Sequence, residues 1–88
     1  MVEEAIVRSY VHETQYGFLV TDQGDLYFDL RGLHKWNGST WEEITGSMRN
    51  KVRDRNLIEV GIKVYFERTS TDKGWRAQPW GFVDNLIP

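Results

Sequence analysis

Tyr16, Phe18 and Tyr27 are the residues whose types and spacing point most directly to chemistry in this chain. Two rings two positions apart on an extended segment share one face, because side chains alternate along a strand. A second strand folded back beside the first brings the third ring to them. Such a patch is either part of a core or a platform on which flat ligands stack. Catalytic sets are harder to assemble. His12 and His34 stand alone, no cysteine is present, and no serine lies in a nucleophile-elbow context. Asp22, Asp25 and Asp29 lack the spacing and terminal Glu of a calcium loop. Glu42 and Glu43 are adjacent and point apart, and no Gly-rich phosphate loop occurs. The expectation is a binding protein without catalysis, metal or cofactor.

The elements that must position these rings are short strands. Tyr16–Val20 and Leu26–Leu30 are rich in aromatic and aliphatic residues, and Asp22-Gln23-Gly24-Asp25 supplies a tight turn between them. Ala5–Val11 precedes them as a strand. Lys63–Thr69 alternates as a fourth, Ser70–Gly74 turns, and Trp75–Val83 returns as a fifth. Pro79 within that last strand requires an edge position or a bulge, because it cannot donate to a ladder. Asn37-Gly38 between Trp36 and Trp41 signals a hairpin with a type I′ turn. That reading is favoured over a helix starting at Ser39 or Thr40, where Ser39-x-x-Glu42 and Thr40-x-x-Glu43 match capping boxes. Ser47–Asn56 is the convincing helix, with Ser47 as its cap and Met48 and Val52 on one face. Five main strands, a hairpin and one short helix suit a small all-β barrel in a single domain spanning residues 1–88.

Composition bounds the function classes. The chain has 88 residues, 40% hydrophobic and 14% aromatic, enough for one folded domain. The absence of cysteine removes disulfide and thiolate-metal frameworks and makes an intracellular setting the default. No leader opens the chain, and no apolar run approaches the roughly 18 residues of a membrane span. A cytoplasmic protein is expected. The formal charge of -2 does not announce a nucleic-acid binder, yet local placement of charge matters more than the sum.

Ile6–Leu19, IVRSYVHETQYGFL, resembles without a gap the opening of the cold-shock proteins. Asp25–Leu30, DLYFDL, resembles that family's second motif, and Leu57–Glu67 its fourth strand. Lys73-Gly74 and Ala77 are similar to its final turn and strand, and residues 34–56 stand as an insertion. The resemblance implies a five-stranded OB-fold barrel that binds single-stranded RNA or DNA on an aromatic face. It implies base stacking at Tyr16, Phe18 and Tyr27, with Tyr10 as a further ring on that face. It implies Arg8 as a basic neighbour, Asp25 as a carboxylate on base edges, and Lys73 as a basic residue near the last turn. Four positions depart from the pattern. Ser9 replaces a stacking Trp, Thr14 a Lys, Asp29 a His, and Leu30 a Phe.

Residues outside the resemblance can compensate. Four tryptophans are many for one small barrel, and Trp75, flanked by Lys73 and Arg76, is the best candidate for an exposed ring. Arg49 and Arg53 on the basic helix are candidate phosphate contacts. Trp36 and Trp41 read first as a cross-strand pair within their own hairpin. They are also the candidate surface for a protein partner or self-association, the rival to nucleic-acid binding if the departures have eroded the aromatic face.

Overall fold

The computed structural model describes residues 1–84. The elements run β1 (Glu3–Val11), β2 (Tyr16–Thr21), β3 (Gly24–Asp29), a 3-10 turn (Leu30–Gly32), β4 (Lys35–Trp36), β5 (Trp41–Glu42), α1 (Gly46–Asp54), β6 (Lys63–Thr71) and β7 (Gly74–Phe82). Five strands close into a barrel in the order β1-β2-β3-β7-β6, while β4 and β5 pair separately. This is the expected all-β, OB-like barrel with a hairpin and one short helix between its third and fourth strands. Neighbouring strands are antiparallel except β3 and β7, which meet in parallel at Tyr27 and Arg76.

Strand alternation sorts the residues into an interior and an exterior. Val7, Leu19, Leu26, Phe28, Val64, Phe66, Ala77 and Trp80 fill the barrel. Two irregularities adjust the pattern. Val7 pairs with Leu19 and Ser9 with Phe18, so one residue of β1 is extra at Arg8. Arg8 and Ser9 both face solvent, and alternation resumes with Tyr10 turned toward the interior. Opposite Tyr10 lies Gly17, where a Cβ would sit 1.9 Å from the Ser9 carbonyl oxygen. Only glycine permits that approach of β1 to β2. The second irregularity lies in β7, where the register shifts between the Phe66–Trp80 and Arg68–Ala77 pairs. Pro79 falls in this bulge, one of the two placements its missing N–H allows.

Element ends shift by one or two residues from the sequence expectations, and three departures have a visible local cause. β3 stops at Asp29 instead of Leu30, because the Asp29 side chain accepts the Gly32 N–H at 3.1 Å and bends the chain into the 3-10 turn. The helix starts at Gly46 and its cap is Thr45, not Ser47; Thr45 Oγ1 accepts the Met48 N–H at 3.1 Å. The hairpin forms with Trp36 opposite Trp41, but its loop is four residues long, Asn37–Thr40, with positive φ at Gly38 and not at Asn37. A type I′ turn is thereby replaced, because the Asn37 side-chain oxygen accepts both the Ser39 and Thr40 N–H at 2.8 Å.

The helix is held by packing, since nine residues are marginal alone. Val52 is buried with Ile58 and Leu33. Arg49 reaches across to donate from Nε to the Leu30 carbonyl at 3.3 Å and from a terminal nitrogen to the Leu33 carbonyl at 3.2 Å. Trp80 locks the opposite side of the same turn, with its indole N–H donating to the Asp29 carbonyl at 2.7 Å. The turn after β3 is thus tied to both the helix and the barrel core.

Candidate functional site

Register determines the candidate site. Ser9, Phe18, Tyr27 and Arg76 form one transverse row across β1, β2, β3 and β7, and Arg76 is followed by Thr69 on β6. The row alternates with the interior row of Val7, Leu19 and Leu26, so its side chains lie on the outer face. Phe18 is 39% exposed and Tyr16 38%. Tyr16 stacks on Tyr27 with ring centroids 5.5 Å apart, and Phe18 meets Tyr27 edge-on at 6.2 Å. Three of the predicted rings are therefore brought together as one outward patch. Such an arrangement offers π-faces to a flat ligand.

The other predicted residues divide. Trp75, at the start of β7, is 62% exposed and lines a cleft with Phe18, Tyr27, Arg31, Lys73 and Arg76. Arg8 and Asp25 lie at the edge of the patch and bind each other as an ion pair. Tyr10 differs from its expected place on the aromatic face. It is half-buried, with its ring 5.6 Å from Phe28, because the bulge at Arg8 turns it inward. Burial, with the Asp29 charge adding to it, pushes the Tyr10 phenol up to about 12. Arg49 is occupied by the two backbone carbonyls, and exposed Arg53 pairs with Asp54 at 2.8 Å. Trp36 and Trp41 face each other in their hairpin with centroids 5.2 Å apart, away from the patch on separate strands.

A charged hub that the sequence reading missed lies under the patch. Asp29 is buried, yet it accepts hydrogen bonds from the Tyr27 hydroxyl at 3.1 Å and from Arg31 at 3.3 Å. Arg76 approaches the same carboxylate at 3.7 Å while its guanidinium carbon sits 5.0 Å from the Tyr27 ring centroid. Burial raises the Tyr27 phenol pKa most, and the Asp29 hydrogen bond and charge raise it further against the opposing pull of Arg76 and Arg31. From the resemblance, Asp29 reads only as a lost histidine. The signal for its role was Asp29-x-x-Gly32, a spacing at which an Asp side chain reaches its own following backbone. Arg31 had no signal, since only the folded turn places it beside the rings.

Among the described residues, no cluster of His, Cys, Asp or Glu has the makings of a metal site. Among the same described residues, no helix is long and apolar enough to cross a membrane. Compared with family models and with curated proteins, the chain matches none.

Proposed function

We propose that this protein binds single-stranded RNA or DNA without chemistry, in the manner of the cold-shock domains its sequence resembles. The observation that carries the reading is the outward patch of Tyr16, Phe18 and Tyr27 on adjacent strands of an OB-like barrel. Bases stacked on such rings contribute about 1–3 kcal/mol each, with little sequence preference, since every base has a π-face. Arg8, Arg31, Lys73 and Arg76 supply positive charge around the rings, and Asp25 a carboxylate for base edges. A cytoplasmic location goes with this reading.

The electrostatics favour stacking over phosphate contact as the main source of affinity. Arg8 is paired with Asp25, and Arg31 and Arg76 share Asp29. We take about two to three effective phosphate contacts, each contributing roughly 0.7 to the salt slope of a single strand. Affinity then falls about 7- to 20-fold between about 50 and 200 mM salt. Fluorescence anisotropy of labelled oligo-dT and oligo-rU across that range is the test. No binding at the lower salt rejects the proposal.

The second reading is a protein-interaction module, favoured by one observation: Trp36 and Trp41 are only half-buried in a hairpin outside the barrel. A contact centred on these rings, with another protein or a second copy, responds little to salt. Concentration-dependent sedimentation, together with loss of assembly in Trp36→Ala, distinguishes it.

A further inference from the structure

We infer that the cleft between the β6–β7 turn and the 3-10 turn is an anchoring site for one planar ring carrying a phosphate group. The inference rests on the stacking reading of the aromatic face and adds to it a fixed position and a ligand class. Phe18, Tyr27 and Arg76 line this cleft together with Trp75, Arg31 and Lys73.

The two aromatic sides of the cleft are unlike. Tyr27 is in contact with Tyr16, Phe18 and the Arg76 guanidinium, so it is held in place from several directions. Trp75 is 62% exposed, and among the described residues it makes no ring–ring contact. The Trp75 indole, without a ring partner, and the Phe18 ring, 39% exposed, both line the cleft and can meet the same planar guest.

The cations are graded in the same way. Arg76 is largely buried, lies against Asp29 and Tyr27, and has an Nε–H without a partner. Arg31 has a side chain 82% exposed and spends one terminal nitrogen on Asp29. Its remaining donors are available in the fork geometry that suits phosphate oxygens. Lys73 is exposed and enters no ion pair among the described residues. The carboxylate facing them, Asp29, is buried and already shared by two guanidinium groups. The rest of the patch offers no such set, because Arg8 is bound to Asp25. Ring and phosphate recognition therefore converge at the Trp75 end of the aromatic face and nowhere else along it.

That chemistry is met by a nucleotide within a strand and by a free nucleoside monophosphate. The test titrates thymidine 5′-monophosphate, thymidine, and an oligo-dT of about six nucleotides into the 15N-labelled protein. It follows the Trp75 indole N–H and the Arg31 and Arg76 side-chain N–H signals. The monophosphate is expected to shift all three and to bind about tenfold or more tightly than thymidine, a factor in line with charge-assisted hydrogen bonds to one phosphate. Arg31→Ala is expected to remove most of the monophosphate's advantage over thymidine, Lys73 and Arg76 retaining the rest, while leaving the Tyr16 response to the oligomer. Equal binding of thymidine and its monophosphate overturns the inference, as does oligomer binding that shifts Tyr16 and leaves Trp75 unmoved. That last result keeps the stacking reading. Monophosphate binding without oligomer binding supports the cleft and rejects the strand.

Discussion

Replacing Phe18 by alanine separates a stacking platform from a core residue, because the two roles predict opposite balances of affinity and stability. Phe18 lies in β2 between Ser9 and Tyr27, is 39% exposed, and is absent from the buried core. Its clearest ring contact is the edge-on approach to Tyr27 at 6.2 Å. Losing an aromatic pair of this kind costs about 0.5–1.5 kcal/mol. Removing a fully buried ring such as Phe28 or Phe66 costs about 3–5 kcal/mol. For a domain of this size, 1 kcal/mol corresponds to about 4–8 °C in Tm. Phe18→Ala is therefore expected to lower Tm by up to about 12 °C and to leave a cooperative melt. If one base stacks on the ring, the same change weakens oligonucleotide binding by about 1–3 kcal/mol, or about 5- to 150-fold. Anisotropy titration at fixed salt, beside a thermal melt followed by circular dichroism, gives both numbers. Phe18→Leu keeps apolar bulk without the π-face, so it is expected to recover stability and not affinity. A change in affinity below about twofold, or an unfolded variant, refutes the platform role.

Three further outcomes follow from the fold. Gly17→Ala forces a Cβ against the Ser9 carbonyl and is expected to lower stability by about 3 kcal/mol or more, measured by urea denaturation; an alanine tolerated there contradicts the β1–β2 spacing. Arg49→Ala removes two donors from the Leu30 and Leu33 carbonyls and is expected to cost about 1–3 kcal/mol of stability while leaving the salt slope of binding unchanged; a flattened slope instead assigns Arg49 a phosphate. Tyr10 has a folded-state pKa raised to about 12 from an ordinary 10, so its contribution is complete below pH 10 and is lost as pH rises toward 12. Solvent access to this half-buried ring reduces the effect to roughly 1 kcal/mol, and Tyr10→Phe is expected to remove that alkaline loss.

The barrel was legible because its information is local. Alternation in Tyr16–Val20 and Leu26–Phe28, the turn at Asp22–Asp25 and the edge-or-bulge placement that Pro79 requires all act within a few residues. The alternation also placed Tyr16 and Phe18 on one face. Tyr10 was expected on the aromatic face from the resemblance alone, and the one-residue bulge at Arg8 turns it inward instead. The helix start moved because Thr45, Ser47 and their neighbours offer competing caps, and the backbone chose Thr45. Asp29 was undervalued for a different reason. Its role depends on Arg31 and Arg76, and Arg76 reaches it only when β7 closes the barrel against β3.

On the proposed function, bases stack on the outward rings of β2 and β3. The most direct measurement is a titration with single-stranded oligo-dT and oligo-rU, followed through the aromatic NMR signals of Tyr16, Phe18 and Tyr27 at about 50 and 200 mM salt. Binding on this face predicts upfield ring shifts at all three residues, with the titration weakened at the higher salt. Unmoved signals at both salts, from rings that remain exposed, contradict it and direct attention to the Trp36–Trp41 hairpin as a protein contact.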